Sequence, residues 1–138
     1  MQKNRANVWQ NEPIGKLTLL SIIAATVIGV LMMPVILPHA MNPSMIYHIS
    51  LHTMSVIIAL FLSVVSIFAY KRNNSLRLLF MSLGFCLLAA IEFLYLFHAT
   101  ANIPDVIIPI VDVELSHAIL LIMLSLFGIG ILKVNKSE

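Results

Sequence analysis

Four long apolar runs dominate this chain, at residues 17–37, 45–70, 78–97 and 115–132, and nearly every charge falls in the short stretches between them. At about 1.5 Å of rise per residue, such runs suit a hydrocarbon core roughly 30 Å thick. The spacing predicts an all-α integral membrane fold of four transmembrane helices. Connections this short make neighbouring helices antiparallel, an up-down bundle. Residues 1–138 then form one membrane domain. It has a cytoplasmic arm at 1–16, four spans at the boundaries above and a cytoplasmic tail at 133–138. The first run exceeds a signal-peptide core in length, and Pro38 lies close before Ala40, which makes a poor cleavage site, so it reads as a retained anchor.

Composition agrees with the pattern. Of the 138 residues, 60% are apolar and only 10% charged, and the mean hydropathy is +1.01, outside the range of a soluble domain. A net charge of +2 spread over separate connections is no nucleic-acid footprint, so no nucleic-acid partner is expected. Cys86 stands alone inside an apolar run, which leaves no disulfide framework.

The sign of the connections gives an orientation. Lys3, Arg5, Lys16, Lys71, Arg72, Arg77, Lys133 and Lys136 occupy the arm, the turn after the second run and the tail. Segments 38–44 and 98–114 hold no Lys or Arg, and the second carries Asp105, Asp112 and Glu114. Cationic connections stay cytoplasmic, which predicts N-in, C-in topology in the cell membrane. Pro34 and Pro38 are expected to bend or end the first helix, and Pro104 and Pro109 to keep the 98–114 segment from becoming helix. Trp9 and Tyr70 suit the inner interface, Tyr47 and Tyr95 the outer one. Gly128 and Gly130 suit close helix contact.

The same segregation isolates a chemistry. His39, His48, His52, His98 and His117 all lie near the outer connections. His48 and His52 are four apart on one helix face, which continues through Ser55, Ala59, Ser63 and Ser66, small residues of the kind found where membrane helices meet. Glu114 and His117, three apart, head a similar line through Leu121, Ser125 and Gly128. His52 sits about 10 Å below the start of its run and Glu92 about as far below the end of its own. A carboxylate at that depth must be paired, protonated or wet, and His52 is its natural partner. Above that layer His48, His98, Glu114 and His117 are expected to form a ring open to the outside.

Imidazole and carboxylate donors at i,i+4 and Glu-x-x-His spacing point to a transition metal held by His48, His52, His117, Glu114 and Glu92. Glu92 suits orienting a ligand better than being one. Met32, Met33, Met41, Met45 and Met54 crowd the same end, and thioether sulfur makes copper the first choice of ion. Haem b is the rival, with axial bonds from His52 and either His98 or His117. A metal-dependent hydrolase with Glu92 as base is a further reading, and a proton or ion pathway another. The bland alternative is that the histidines are polar glue between helices, each worth about 0.6–2 kcal/mol. The chain is then a structural accessory subunit that docks to partner helices through small residues such as Ala59 and Gly128.

The stretch running Tyr70-Lys71-Arg72-Asn73-Asn74-Ser75-Leu76-Arg77 and on through a Leu-rich segment to Gly84-Phe85 resembles small, uncharacterised archaeal four-span membrane proteins. That resemblance implies a four-helix membrane fold and no activity. In size and hydropathy the chain is also similar to small accessory subunits of archaeal membrane oxidases, including the copper-dependent ammonia monooxygenase. This similarity implies other membrane subunits as partners.

Overall fold

The apolar runs become helices, in which backbone amides bond carbonyls about one turn back. The computed structural model describes residues 15–101, 107–108 and 113–132. Lys3, Arg5, Trp9, Pro104, Asp105, Pro109, Asp112, Lys133 and Lys136 lie outside the described residues. Helix α1 spans Lys16–His39, α2 Pro43–Asn73, α3 Leu76–Ala101 and α4 Leu115–Leu132. All four are long and apolar enough to cross a membrane. Between α3 and α4, β1 (Ile107–Ile108) and β2 (Val113–Glu114) form a two-residue antiparallel ladder that pairs Ile107 with Glu114.

Local chemistry sets the helix ends. Asn42 caps α2, its Oδ1 accepting from the Met45 amide at 3.3 Å, and Pro43 fills the first turn, where its missing N–H costs nothing. Asn74 closes α2 in the left-handed region (φ 48°), with its amide on the Tyr70 carbonyl at 2.7 Å. Lys71 and Arg72 lie in that last turn, where the helix dipole favours cations. Within the apolar runs, Ser21, Thr26, Ser63 and Ser125 donate to carbonyls four residues back, which satisfies those hydroxyls locally.

Pro34 does not end α1. It sits in a π-helical turn, Met32–Ile36, where the Leu37 amide bonds the Met32 carbonyl, five residues back. Proline lacks the amide an α-turn needs, and its ring crowds the carbonyl four residues back; one extra residue in the turn relieves both problems. The helix then continues to His39.

Each helix packs on the next in chain order, most extensively α2 on α3 and then α3 on α4. Ile49, Val56 and Ile57 of α2 join Val27, Leu31 and Val35 of α1 and Leu96 of α3 in the central cluster. Gly84 lets Phe127 of α4 lie against α3. A Cβ there would come within 2.6 Å of the Phe127 ring, which meets Phe85 edge-on at 5.2 Å. Gly130 makes the second close approach, with Phe80 and the Arg77 carbonyl 3.4 and 3.5 Å from a built Cβ. Gly128 meets nothing within 4 Å, so only one of the two α4 glycines serves contact with α3.

These contacts run each hairpin antiparallel, residue 52 against 92 and residues 80–84 against 127–130. His39 ends α1, His48 and His52 lie near the start of α2, His98 is near the end of α3, and His117 opens α4. All five histidines are therefore at one end. Lys16, Lys71, Arg72 and Arg77 are at the other. At most 28% of any apolar span is buried within the chain, so most of the apolar surface faces outward, which is compatible with a membrane.

Candidate functional site

The half-buried centre of the histidine end is an ion-pair geometry between α2 and α3. His52 Nδ1 lies 2.6 Å from Glu92 Oε2, with side chains only 14% and 17% exposed. Each residue stands about 13 Å from its helix end at 1.5 Å per residue. The pairing expected from the sequence is thus present. A carboxylate at this distance accepts the Nδ1 proton, which leaves Nε2 as the ring nitrogen suited to a ligand.

Two rings flank the pair. His48, one turn earlier on α2, meets His52 edge-on with centroids 4.5 Å apart. Tyr95, one turn after Glu92 on α3, has its ring centroid 5.7 Å from His52. The Tyr95 ring, at the end where the sequence expects it, turns toward His52, and its i,i+3 spacing from Glu92 is the signal for this contact. Below the pair the α2 face is interior, as its small residues suggest: Ala59 is 0% and Ser63 3% exposed. Beside His52, the Thr53 hydroxyl is buried with no hydrogen-bond partner among the described residues.

The wider ring does not assemble in this arrangement. Among the described residues, no group of three or more His, Cys, Asp or Glu side chains is placed to hold a metal ion. His117 pairs instead with Glu114 of the preceding turn at 3.0 Å, on a face where the two side chains are 62% and 42% exposed. The Ser116 hydroxyl donates to the same carboxylate at 3.4 Å. The line through Leu121, Ser125 and Gly128 is not interior either, since Leu121 is 67% exposed and Ser125 also faces outward. The buried side of α4 carries Ser116, Met123 and Gly130, because seating Gly130 and Phe127 on α3 rotates the His117 face away. His98 is half-buried in the last turn of α3. His39 is tied locally, Nδ1 to the Val35 carbonyl at 2.9 Å.

Chemically, the His52 centre offers one oriented imidazole nitrogen, a second imidazole in edge contact with it and a half-buried carboxylate behind the first. Comparison with known proteins gave no matching family model, no matching curated protein and no matching solved structure.

Proposed function

We propose that this chain is a multi-pass protein of the cell membrane, an N-in, C-in up-down bundle, that binds a transition metal ion at the outer end of the bundle. Copper is the first choice. The observation that carries this reading is the 2.6 Å contact of His52 Nδ1 with Glu92, two-thirds of the carboxylate–histidine–metal arrangement in which the carboxylate sets the tautomer and raises ligand basicity. His52 Nε2 is the primary donor and His48 the second; His98, about two turns beyond Glu92, is the nearest candidate for a third. Glu114 and His117 form a separate pair and would join only by a shift of α4. A bound ion there would supply electron transfer or Lewis acidity, while this chain orients the imidazoles and limits water. Haem b fits less well. Ile49, Val56 and Leu96, each within one turn of His52 or Glu92, are at most 1% exposed, and a macrocycle axially bonded to His52 would displace them.

Purified protein is expected to carry stoichiometric copper by elemental analysis with native mass spectrometry, and His52→Ala to remove it. Folded wild-type protein from a copper-replete host that contains neither metal nor a Soret band rejects the reading. Exposing single cysteines at residues 107 and 138 to an impermeant reagent in a Cys86→Ser background tests the topology: only residue 107 reacts from outside.

A second reading, an accessory subunit docked to other membrane proteins, draws support from α1. Ser21, Ala25 and Gly29 lie four apart on that helix, are all exposed, and a Cβ at Gly29 would meet nothing. Ala59, by contrast, is used up inside the chain's own bundle. Gly29→Ile is expected to abolish co-purification with a partner complex while leaving the bundle folded. Unchanged co-purification rejects this docking face.

A further inference from the structure

We propose a second metal site, separate from His52, on the α1–α2 turn: His39, Met41 and Met45 hold a monovalent copper ion. Two turn bonds, Ala40 N to Leu37 O at 3.3 Å and Asn42 N to His39 O at 3.0 Å, fold this connection tightly. Asn42 then anchors the first turn of α2 through the Met45 amide at 3.3 Å and the Ser44 hydroxyl at 3.2 Å. His39, Met41 and Met45 are thus hung on one compact turn. The bond from His39 Nδ1 to the Val35 carbonyl leaves Nε2 as that ring's ligand nitrogen. Met45 packs partly against the central cluster, to which Val35, the residue that anchors His39, also belongs.

Exposure separates Met41 from lipid-facing filler. Met41 is 98% exposed and lies in the connection rather than on a span, so it gains no apolar contact within the chain. The donor chemistry selects the ion. Residues 38–44 contain no carboxylate, so a hard cation such as calcium or magnesium finds no anionic oxygen. Two thioethers and one imidazole make a soft set that favours copper(I). Met45, His48 and His52 follow at i, i+3 and i+7 along one face of α2, which links this site to the buried centre. That supply role rests on the copper reading of His52; binding at the turn does not.

The test uses the full chain in detergent micelles, reduced, in a Cys86→Ser background, because Cys86 is exposed and a thiol competes for the ion. Silver(I), a redox-inert stand-in for copper(I), is titrated while 13C-methyl methionine resonances are followed, and copper(I) stoichiometry is read with a chromophoric chelator. Met41 and Met45 methyl signals are expected to shift. The paired Met41→Leu/Met45→Leu variant, with helix content checked by circular dichroism, is expected to fall from about two copper ions to about one, and His52→Ala to lose the other. Methionine signals unmoved by silver(I), or stoichiometry unchanged in the folded paired variant, overturn the proposal while leaving the His52 site standing. Loss of copper in the paired variant but not in His52→Ala upholds the turn site and rejects the buried one.

Discussion

Replacing Glu92 by Leu and His52 by Leu, singly and together, measures how firmly the His52–Glu92 crosslink holds α2 to α3. Both side chains are less than a fifth exposed, so solvent cannot take over for a missing partner. Hydrogen bonds between membrane helices average about 0.6 kcal/mol and reach about 1.7, while charge-assisted ones in water-soluble proteins contribute about 1.5–3. A separation of 2.6 Å is at the short limit for N–H···O, which argues for the upper part of the membrane range. The coupling energy is therefore expected at about 1.5–2 kcal/mol, roughly a 10- to 30-fold change in the folding equilibrium. The single variants should differ. Glu92→Leu strands an imidazole, which can remain neutral, and costs about 1–2 kcal/mol; His52→Leu strands a carboxylate and costs several. The double variant should be more stable than His52→Leu alone. Reversible unfolding in mixed micelles, followed by circular dichroism, supplies all four corners of the cycle. Single-variant costs that add to within about 0.5 kcal/mol, or a larger cost for Glu92→Leu than for His52→Leu, refute the reasoning.

Gly84→Ala drives a methyl into the Phe127 ring; overpacking outweighs the helix-propensity gain, for a net loss of about 1–2 kcal/mol, and Phe127→Leu in the same chain should recover most of it, read by thermal unfolding. Thr53→Val removes a buried hydroxyl that has no partner among the described residues, so stability is expected to hold or rise by up to about 1 kcal/mol in the same assay. Leu96→Ala opens a cavity at a 0% exposed position and costs about 2–5 kcal/mol, whereas Leu121→Ala, 67% exposed, leaves bilayer unfolding midpoints nearly unchanged because lipid contacts that side chain folded or unfolded. Glu92→Gln, which keeps an acceptor for His52 but not the charge, should weaken copper affinity about 10- to 100-fold in a chelator competition.

Hydropathy alone located the four long helices, because a long apolar run is itself a compositional signal. The run at residues 115–132 coincides with α4. The other helices outrun their apolar stretches, since Asn42 with Pro43 and the left-handed Asn74 extend α2 by capping chemistry that hydropathy does not register. The His52–Glu92 pair was legible from depth, as two polar groups so placed have few other partners. The face of His117 was not. Which side of α4 meets the bundle depends on where Phe127 finds room, and that room is supplied by Gly84 on another helix. Nor does sequence spacing reveal the β1–β2 ladder, whose strands are two residues each.

The wide turn at Met32–Ile36 also upsets any helical wheel drawn along α1. One surplus residue puts a wheel count beyond it out by about 100°, so His39 faces a direction that counting from Ser21 would miss. Deleting a single residue within that turn would restore an ordinary pitch and leave the histidine facing nearly as it does, because the wide turn already absorbs the surplus residue's rotation. The first helix therefore carries a built-in phase offset, and the compass bearing of its last imidazole is set by how its backbone accommodates one proline.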